Sequence, residues 1–181
     1  MNGYELKAKK IVDRNEDKNK NIIGKIGGNP TYLPDNYKEI EDYFLMEIYN
    51  NEVVKNEDVL GWQIYQDMEL GGIITDIIEI KRGAKLNEEN VIPTRRWIDE
   101  YNIYYEEKTW KDYISREELM GTERKSMIYG NPGEEIFEEC EFSKVEYVGI
   151  IYDDLCPYGD LSFGYGYFII GMDDNEKFII V

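Results

Sequence analysis

The sequence predicts an α+β fold that is mainly antiparallel β with few short helices, and three observations favour it. Among 181 residues there are 24 Ile and 16 Tyr but two Ala, so strand-forming side chains outnumber the best helix former. Short apolar segments are separated by clusters of Gly, Pro and Asn, as in hairpins. Two stretches of this kind also match each other at an offset of about 102 residues.

The N-terminal elements follow from side-chain alternation and turn residues. Residues 4–12 alternate apolar and charged side chains and predict an edge strand, with a helix over 4–18 as the competing interpretation. The apolar segment 22–26 precedes a Gly-Gly-Asn-Pro turn at 27–30, and a second proline turn lies at 34–36.

The remaining elements continue this pattern. Three strand-like segments, at 43–49, 60–66 and 73–81, predict an antiparallel meander. Residues 95–114 are aromatic and charged and fit neither the helical nor the strand period. Ser115 and Glu118 form a capping box that predicts a short helix ending near Gly121. Near the C-terminus we expect strands at 163–171 and 178–181.

An internal repeat is the strongest organisational signal. The matched segments are 26–30 with 128–132, 43–49 with 146–152, and 61–65 with 164–168. We therefore interpret residues 1–181 as a single compact domain that can be built from two repeats, at about 22–81 and 126–181, joined by an aromatic and charged connector, 82–125. Two unrelated β-hairpins are the alternative.

Composition excludes several functional classes. The chain has no histidine, which removes the usual general base, the Ser-His and Cys-His pairs and the commonest transition-metal ligand. Cys140 and Cys156 are isolated and form no zinc motif, so we expect two reduced, partly buried thiols. We predict no catalytic residue, no cofactor and no metal.

Charge and hydropathy point to a basic protein partner. The net charge is −17, and it divides into +3 over residues 1–30 and −20 over 31–181. Such a surface disfavours direct contact with nucleic acid and attracts a basic protein. The longest mainly apolar run, 163–172, is too short to cross a membrane, so we expect a cytoplasmic protein that binds no membrane. The sequence leaves the oligomeric state undetermined.

Two candidate partner-binding groups stand out. The first is the densest acidic cluster, which contains Glu134, Glu135, Glu138, Glu139 and Glu141. Its carboxylates can meet Lys and Arg of a partner, or they can simply keep the protein soluble. The second is an aromatic stretch interleaved with acids, which contains Trp97, Tyr101, Tyr104, Tyr105 and Trp110. These rings can anchor a protein interface, or they can fill the core.

Two acidic turns are candidate metal sites. Asp153, Asp154 and Asp160 surround a Cys-Pro-Tyr-Gly segment, and residues 173–176 form another acidic turn. Neither has the spacing of a calcium loop, and Asp or Asn at hairpin tips is ordinary turn chemistry.

Residues 24–34, Gly-Lys-Ile-Gly-Gly-Asn-Pro-Thr-Tyr-Leu-Pro, resemble the signature near the start of YwqG-like proteins, a bacterial family of unknown function. The strand at 60–66, the turn at 130–132 and the Gly-Asp segment at 158–170 are similar to later features of that family. The resemblance implies two related antiparallel sheet units packed about a pseudo-twofold axis. It also implies a relation to immunity proteins, which bind and neutralise polymorphic toxins.

These observations lead to one functional hypothesis and two alternatives. We expect a non-enzymatic protein-binding module, an immunity protein that neutralises a basic bacterial toxin by covering its active surface. One alternative is an enzyme that uses carboxylates or a divalent metal. The other is an acidic phage-type inhibitor that mimics nucleic acid.

Overall fold

A computed structural model describes residues 2–11, 22–49, 57–95, 98–111, 125–156, 163 and 166–181. Twelve strands are described: β1 Asn2–Lys10, β2 Ile22–Ile26, β3 Tyr32–Leu33, β4 Tyr43–Ile48, β5 Val59–Asp67, β6 Ile73–Lys81, β7 Lys85–Leu86, β8 Tyr101–Thr109, β9 Met127–Tyr129, β10 Glu146–Tyr152, β11 Tyr167–Met172 and β12 Phe178–Ile180. The described part also has one α-helix, α1 (Glu134–Phe142), and two 3-10 turns, Tyr37–Glu39 and Asp153–Leu155. The helix predicted near Ser115 lies outside the described residues.

Ten strands form one antiparallel sheet, which confirms the predicted mainly antiparallel β class. Their order is β12-β11-β10-β9-β1-β8-β2-β4-β5-β6, and β3 pairs separately with β7. The first and last strands of the sheet, β12 and β6, lie against each other without pairing. The sheet is therefore a nearly closed barrel.

Local pattern predicted several strands well, but it misplaced β1, missed β8 and gave no strand at β3, β7 or β9. The strands predicted at 43–49, 60–66 and 73–81 are present within one residue of those limits. Residues 2–10 form a strand, but the edge position was wrong, because β8 and β9 flank it on both sides. The aromatic and charged stretch contains β8, so the predicted connector supplies a central strand of the sheet.

The main hydrophobic core is enclosed by the sheet. It takes buried side chains from all ten strands, and Trp62 on β5 packs on Phe178 of β12 with ring centroids 4.6 Å apart. Two smaller clusters lie outside it. One, around Ile150 and Ile169, packs with α1, and the other, around Phe44 and Tyr65, packs with the segments that carry β3 and β7. Each half of the sheet is thus covered by its own outer layer.

Candidate functional site

The five candidate glutamates lie together on α1. Glu134, Glu135, Glu138, Glu139 and Glu141 are all exposed, whereas Ile136 and Cys140 are buried against the outer cluster. We call the five glutamates, with Phe142 at the end of the helix, the acidic helix face. The 3.6-residue period of a helix explains the division, since positions four apart share one side.

Backbone and side-chain bonds fix both ends of α1. Before it, Gly133 has a φ of 103°, and its N–H donates to Asn131 Oδ1 at 3.0 Å. The Asn131 amide in turn donates to the Lys111 carbonyl at 2.6 Å. After it, Lys144 adopts a φ of 58°, and the Val145 N–H donates to the Cys140 carbonyl at 3.0 Å. The helix is therefore held in one position on the barrel.

The charges of the acidic helix face have opposing effects on their own helix, because Glu134 and Glu135 lie in the first turn, where the helix dipole favours a carboxylate, whereas repulsion and the later glutamates oppose the helix. Glu134 and Glu138 are four residues apart, as are Glu135 and Glu139, and like charges at this spacing each cost about 0.2–0.5 kcal/mol. Glutamates near the C-terminus also oppose the helix dipole, and the last turn has no basic residue. Lys144 is the only basic residue between positions 130 and 150. Solubility does not require acids at these particular positions.

Phe142 adds an apolar side chain to this face at the C-terminal end of the helix. Its side chain is 89% exposed, the highest value among the exposed large hydrophobic residues described. An exposed aromatic ring bordered by charged side chains is the composition of an interface anchor and its rim.

The aromatic candidates do not form a comparable surface. Trp97 lies outside the described residues. Tyr101 is 1% exposed and belongs to the barrel core, so it offers no surface to a partner. Tyr104, Tyr105 and Trp110 are half-buried, and Trp110 packs over Gly130. This stretch mainly fills the core.

The thiols and acidic turns have structural surroundings. Cys140 and Cys156 are buried and are not joined in a disulfide, and burial raises the pKa of the Cys140 thiol, which makes it a poor nucleophile. Asp173 accepts backbone N–H bonds from Lys177 and Asn175, which hold the pKa of its carboxyl below the ordinary value, as in a hairpin turn. Asp160 lies outside the described residues. Within the parts that the structure describes, no three Asp, Glu or Cys side chains are grouped so as to hold a metal ion.

A buried polar row on β2, β4 and β5 was not predicted. Lys25, Glu47 and Gln63 are cross-strand neighbours on the outer surface of the barrel, and we call them the polar row. Glu47 is 2% exposed and accepts the Thr31 N–H at 3.0 Å and the Gln63 amide at 3.3 Å. The Lys25 Nζ lies 3.6 Å from the Glu47 carboxylate. The Gln63 amide also donates to the Tyr32 carbonyl at 2.9 Å.

The polar row holds the Gly-Gly-Asn-Pro-Thr turn against the sheet. Lys25 Nζ donates to the Asn29 carbonyl, and the Thr31 hydroxyl donates to Glu47. Gly27 and Gly28 have φ values of 72° and 65°. A Cβ on Gly28 would lie 2.6 Å from the Glu100 carboxyl carbon, so glycine also leaves room for that side chain. The Gly-Gly-Asn-Pro-Thr segment thus forms one turn that these hydrogen bonds hold against the sheet.

These features define a class of protein: an acidic, nearly closed antiparallel barrel that carries a glutamate-rich helix on its outer surface. Comparison of the chain with protein-family models, with curated proteins and with solved structures finds no match. Among the described residues, no helix has the length and apolar character needed to cross a membrane.

Proposed function

We propose that this chain is a non-enzymatic protein-binding module, an immunity protein that neutralises a basic bacterial toxin by covering the toxin's active surface. One observation carries the proposal: five exposed glutamates and the exposed ring of Phe142 share one short helix, in which carboxylates four residues apart repel one another. Carboxylates crowded on one helix beside an exposed aromatic ring favour a role in recognition over a role in solubility.

Electrostatics support a basic partner. Residues 131–154 contain eight acidic side chains and one basic one, within a chain of net charge −17. A field of this sign accelerates encounter with a cationic surface, towards about 10⁸–10⁹ M⁻¹s⁻¹ in steered complexes. It also repels the phosphates of nucleic acid, so we propose a protein partner and no direct nucleic acid. A cytoplasmic location, where the toxin would act, belongs to the same proposal.

Growth rescue tests this function. The test uses the basic C-terminal domain of any large secreted protein whose gene is found to neighbour this one, expressed in a bacterial host with and without the chain. We expect growth to stop with the domain alone and to recover when the chain is co-expressed. Failure of every neighbouring basic domain to be neutralised would contradict the proposal.

Two variants connect rescue to the acidic helix face. Phe142→Ala removes the exposed ring, and the combined change of Glu134, Glu135, Glu138 and Glu139 to Gln removes four charges while it preserves side-chain size. Both should weaken rescue at equal expression levels. Leu70→Ala is the matched control, since Leu70 is also an exposed large hydrophobic residue (63%) but lies in the turn between β5 and β6. It should rescue like the wild type.

We also propose that the two halves of the barrel are related by an internal pseudo-twofold repeat. If β1, β2, β4, β5 and β6 are matched with β8, β9, β10, β11 and β12, the sheet order reads the same from either edge. The match also pairs two irregularities, since one β-bulge lies between Phe44 and Met46 and the other between Tyr147 and Gly149, 103 residues later. Both buried prolines, Pro30 and Pro132, follow matched strands.

The matched positions differ in one informative way. Under this pairing Lys25, Glu47 and Gln63 correspond to Met127, Ile150 and Ile169, an apolar row covered by α1. In the other half of the barrel, the positions that match the polar row are therefore filled by buried apolar side chains. An experimental structure tests the repeat: superposition of the matched strands should bring Pro30 onto Pro132, and unrelated proline positions would contradict it.

A further inference from the structure

The barrel closes at one place without a hydrogen-bonded ladder between strands. We call this place the seam, and it lies between β6 and β12, the last and first strands in the order of the sheet. Among the described residues, β6 pairs with β5 alone and β12 with β11 alone. All other neighbours in the ten-stranded sheet are joined by backbone hydrogen bonds. Separation at the seam therefore breaks no ladder.

One aromatic contact holds the inner side of the seam. Phe178 of β12 is 5% exposed, and its ring centroid lies 4.6 Å from that of Trp62 on β5, which is fully buried. β12 itself has three residues, which pair with Ile170, Gly171 and Met172 of β11. A strand this short with one paired neighbour depends on side-chain packing to stay in place.

The packing around Trp62 leaves one polar group unpaired. The indole Nε1–H of Trp62 is buried, and no acceptor among the described residues binds it. An unpaired buried donor carries its full desolvation penalty, which corresponds to about 5- to 150-fold in an equilibrium constant. The closed barrel bears this penalty, and contact of the indole with water removes it.

Glu79 places a carboxylate on the inner side of the same seam. It is the direct cross-strand partner of Trp62, so the two side chains share the face of the sheet that encloses the core. Glu79 is half-buried, and burial of a carboxylate is unfavourable unless water or a donor binds it. Charged side chains that point inward are typical of strands at a sheet edge. β6 thus keeps the character of an edge strand within a nearly closed barrel.

We propose that the seam is a latch, which opens when β12 separates from β6 while the ladders of the sheet stay intact. Two features favour opening here over any other junction: no ladder is broken, and the Trp62 N–H gains water as a partner. The Phe178 ring opposes opening, since separation removes its contact with Trp62. The inference concerns the barrel itself and does not rest on the proposed function, because opening needs no partner.

Hydrogen exchange followed by NMR on the full chain tests the inference. Because no described residue accepts the Trp62 indole N–H, its exchange reports access of water to the seam and not the breaking of a hydrogen bond. We expect its protection factor to be at least about tenfold below those of the slowest amides on β4 and β8, and to change little at low denaturant concentrations. Equal protection with equal denaturant dependence would mean that only global unfolding exposes Trp62, and it would overturn the inference.

Two variants should move the latch in opposite directions. Phe178→Ala removes the ring that packs on Trp62 and should lower the protection factor of the indole N–H. Glu79→Leu replaces the inward carboxylate by an apolar side chain, which favours the closed seam, and should raise that protection factor. An indole protection factor that does not change in the Glu79 variant would contradict the latch, even if Phe178→Ala does not fold.

Phe44→Ala is the matched control. Phe44 is also a buried phenylalanine in an aromatic pair, since it packs on Tyr65 with ring centroids 6.1 Å apart, but it belongs to an outer cluster and not to the seam. The change lowers global stability, so the slowest amides should exchange faster, whereas the indole of Trp62 should keep its protection factor because the seam is intact. If Phe44→Ala lowered the indole protection as much as Phe178→Ala, local opening at the seam would be refuted.

Discussion

Replacing Glu47 by Ala should destabilise the protein strongly, because the change leaves Lys25 without its carboxylate. Glu47 has a side chain that is 3% exposed, and it accepts bonds from Thr31 and Gln63 as well as pairing with Lys25. Removal of one partner from a buried ion pair costs about 3–5 kcal/mol. The Lys25 side chain is 20% exposed and can reach water, so we expect about 3 kcal/mol, the lower end of that range.

Thermal and guanidinium unfolding measure this effect. For a chain of this size each 1 kcal/mol lowers Tm by about 2–4 °C, so the midpoint should fall by about 6–12 °C. Glu47→Gln keeps the shape and should cost less, about 1–2 kcal/mol. Glu139→Ala, an exposed glutamate of α1, should stay within about 0.5 kcal/mol of the wild type.

A second variant separates the charge effect from simple loss of packing. The double variant Lys25→Met, Glu47→Met carries neither charge, so no unpaired ion remains. It should therefore regain part of the stability that Glu47→Ala loses. The reasoning would be refuted if Glu47→Ala and Glu139→Ala had the same free energy of unfolding. It would also be refuted if the double change were as unstable as the sum of its single changes.

Three further predictions concern the turn, the pH dependence and metals. Gly28→Ala and Gly83→Ala should each cost about 1–2 kcal/mol from a left-handed backbone, and Gly28→Ala should cost more, because its Cβ would lie 2.6 Å from the Glu100 carboxyl carbon whereas Gly83 has open space around it; equal unfolding free energies for the two variants would contradict this packing. Burial alone would raise the pKa of Glu5, but hydrogen bonding and charge from Lys108, with Lys125, hold it below the ordinary 4.5. The stabilisation that the Glu5 carboxylate gives through this pairing should therefore be present above pH 4.5 and be lost as the pH falls further. The difference in unfolding free energy between the wild type and Glu5→Gln should narrow below pH 4.5. A difference that stays constant would be inconsistent with this pairing. Calorimetric titration with Ca²⁺, Mg²⁺, Mn²⁺ and Zn²⁺ should give no stoichiometric binding of micromolar affinity; a site removed by Asp153→Asn or Asp154→Asn would favour the enzyme alternative.

Sequence pattern predicted the strands that are rich in β-branched residues and bounded by turn residues. β6 is such a strand, because five of its nine residues are Ile and it follows Gly71 and Gly72, although its buried residues Ile74, Ile77 and Ile80 do not alternate. β8 was not predicted because both of its faces carry aromatic side chains, with Tyr101 and Ile103 buried in the core and Tyr104 and Tyr105 half-buried. Two aromatic faces do not produce an alternation that can be recognised.

Long-range pairing accounts for the larger failures. β1 was expected at an edge, yet its partners are about 100 residues away in β8 and about 124 residues away in β9, and nothing in its own sequence identifies them. The polar row was missed for the same reason, since Lys25, Glu47 and Gln63 become neighbours only through strand register.

The acidic cluster was recognised, but its helix was not. Only Ile136 and Cys140 are buried on α1, and this pair is too short an apolar pattern to predict a helix among five glutamates. Phe142 was not selected as a site residue because exposure of one aromatic side chain cannot be read from composition.

The association rate with the toxin domain tests the central claim most directly. Stopped-flow or biosensor kinetics over a series of salt concentrations compare the wild type with the variant in which Glu134, Glu135, Glu138 and Glu139 are Gln. The control changes four exposed acids of the opposite half, Asp35, Glu39, Glu41 and Glu69, to their amides, so that both variants have the same net charge. We expect the α1 variant alone to associate more slowly at low salt and to lose most of the salt dependence. Equal rates for the two variants would contradict recognition through the acidic helix face.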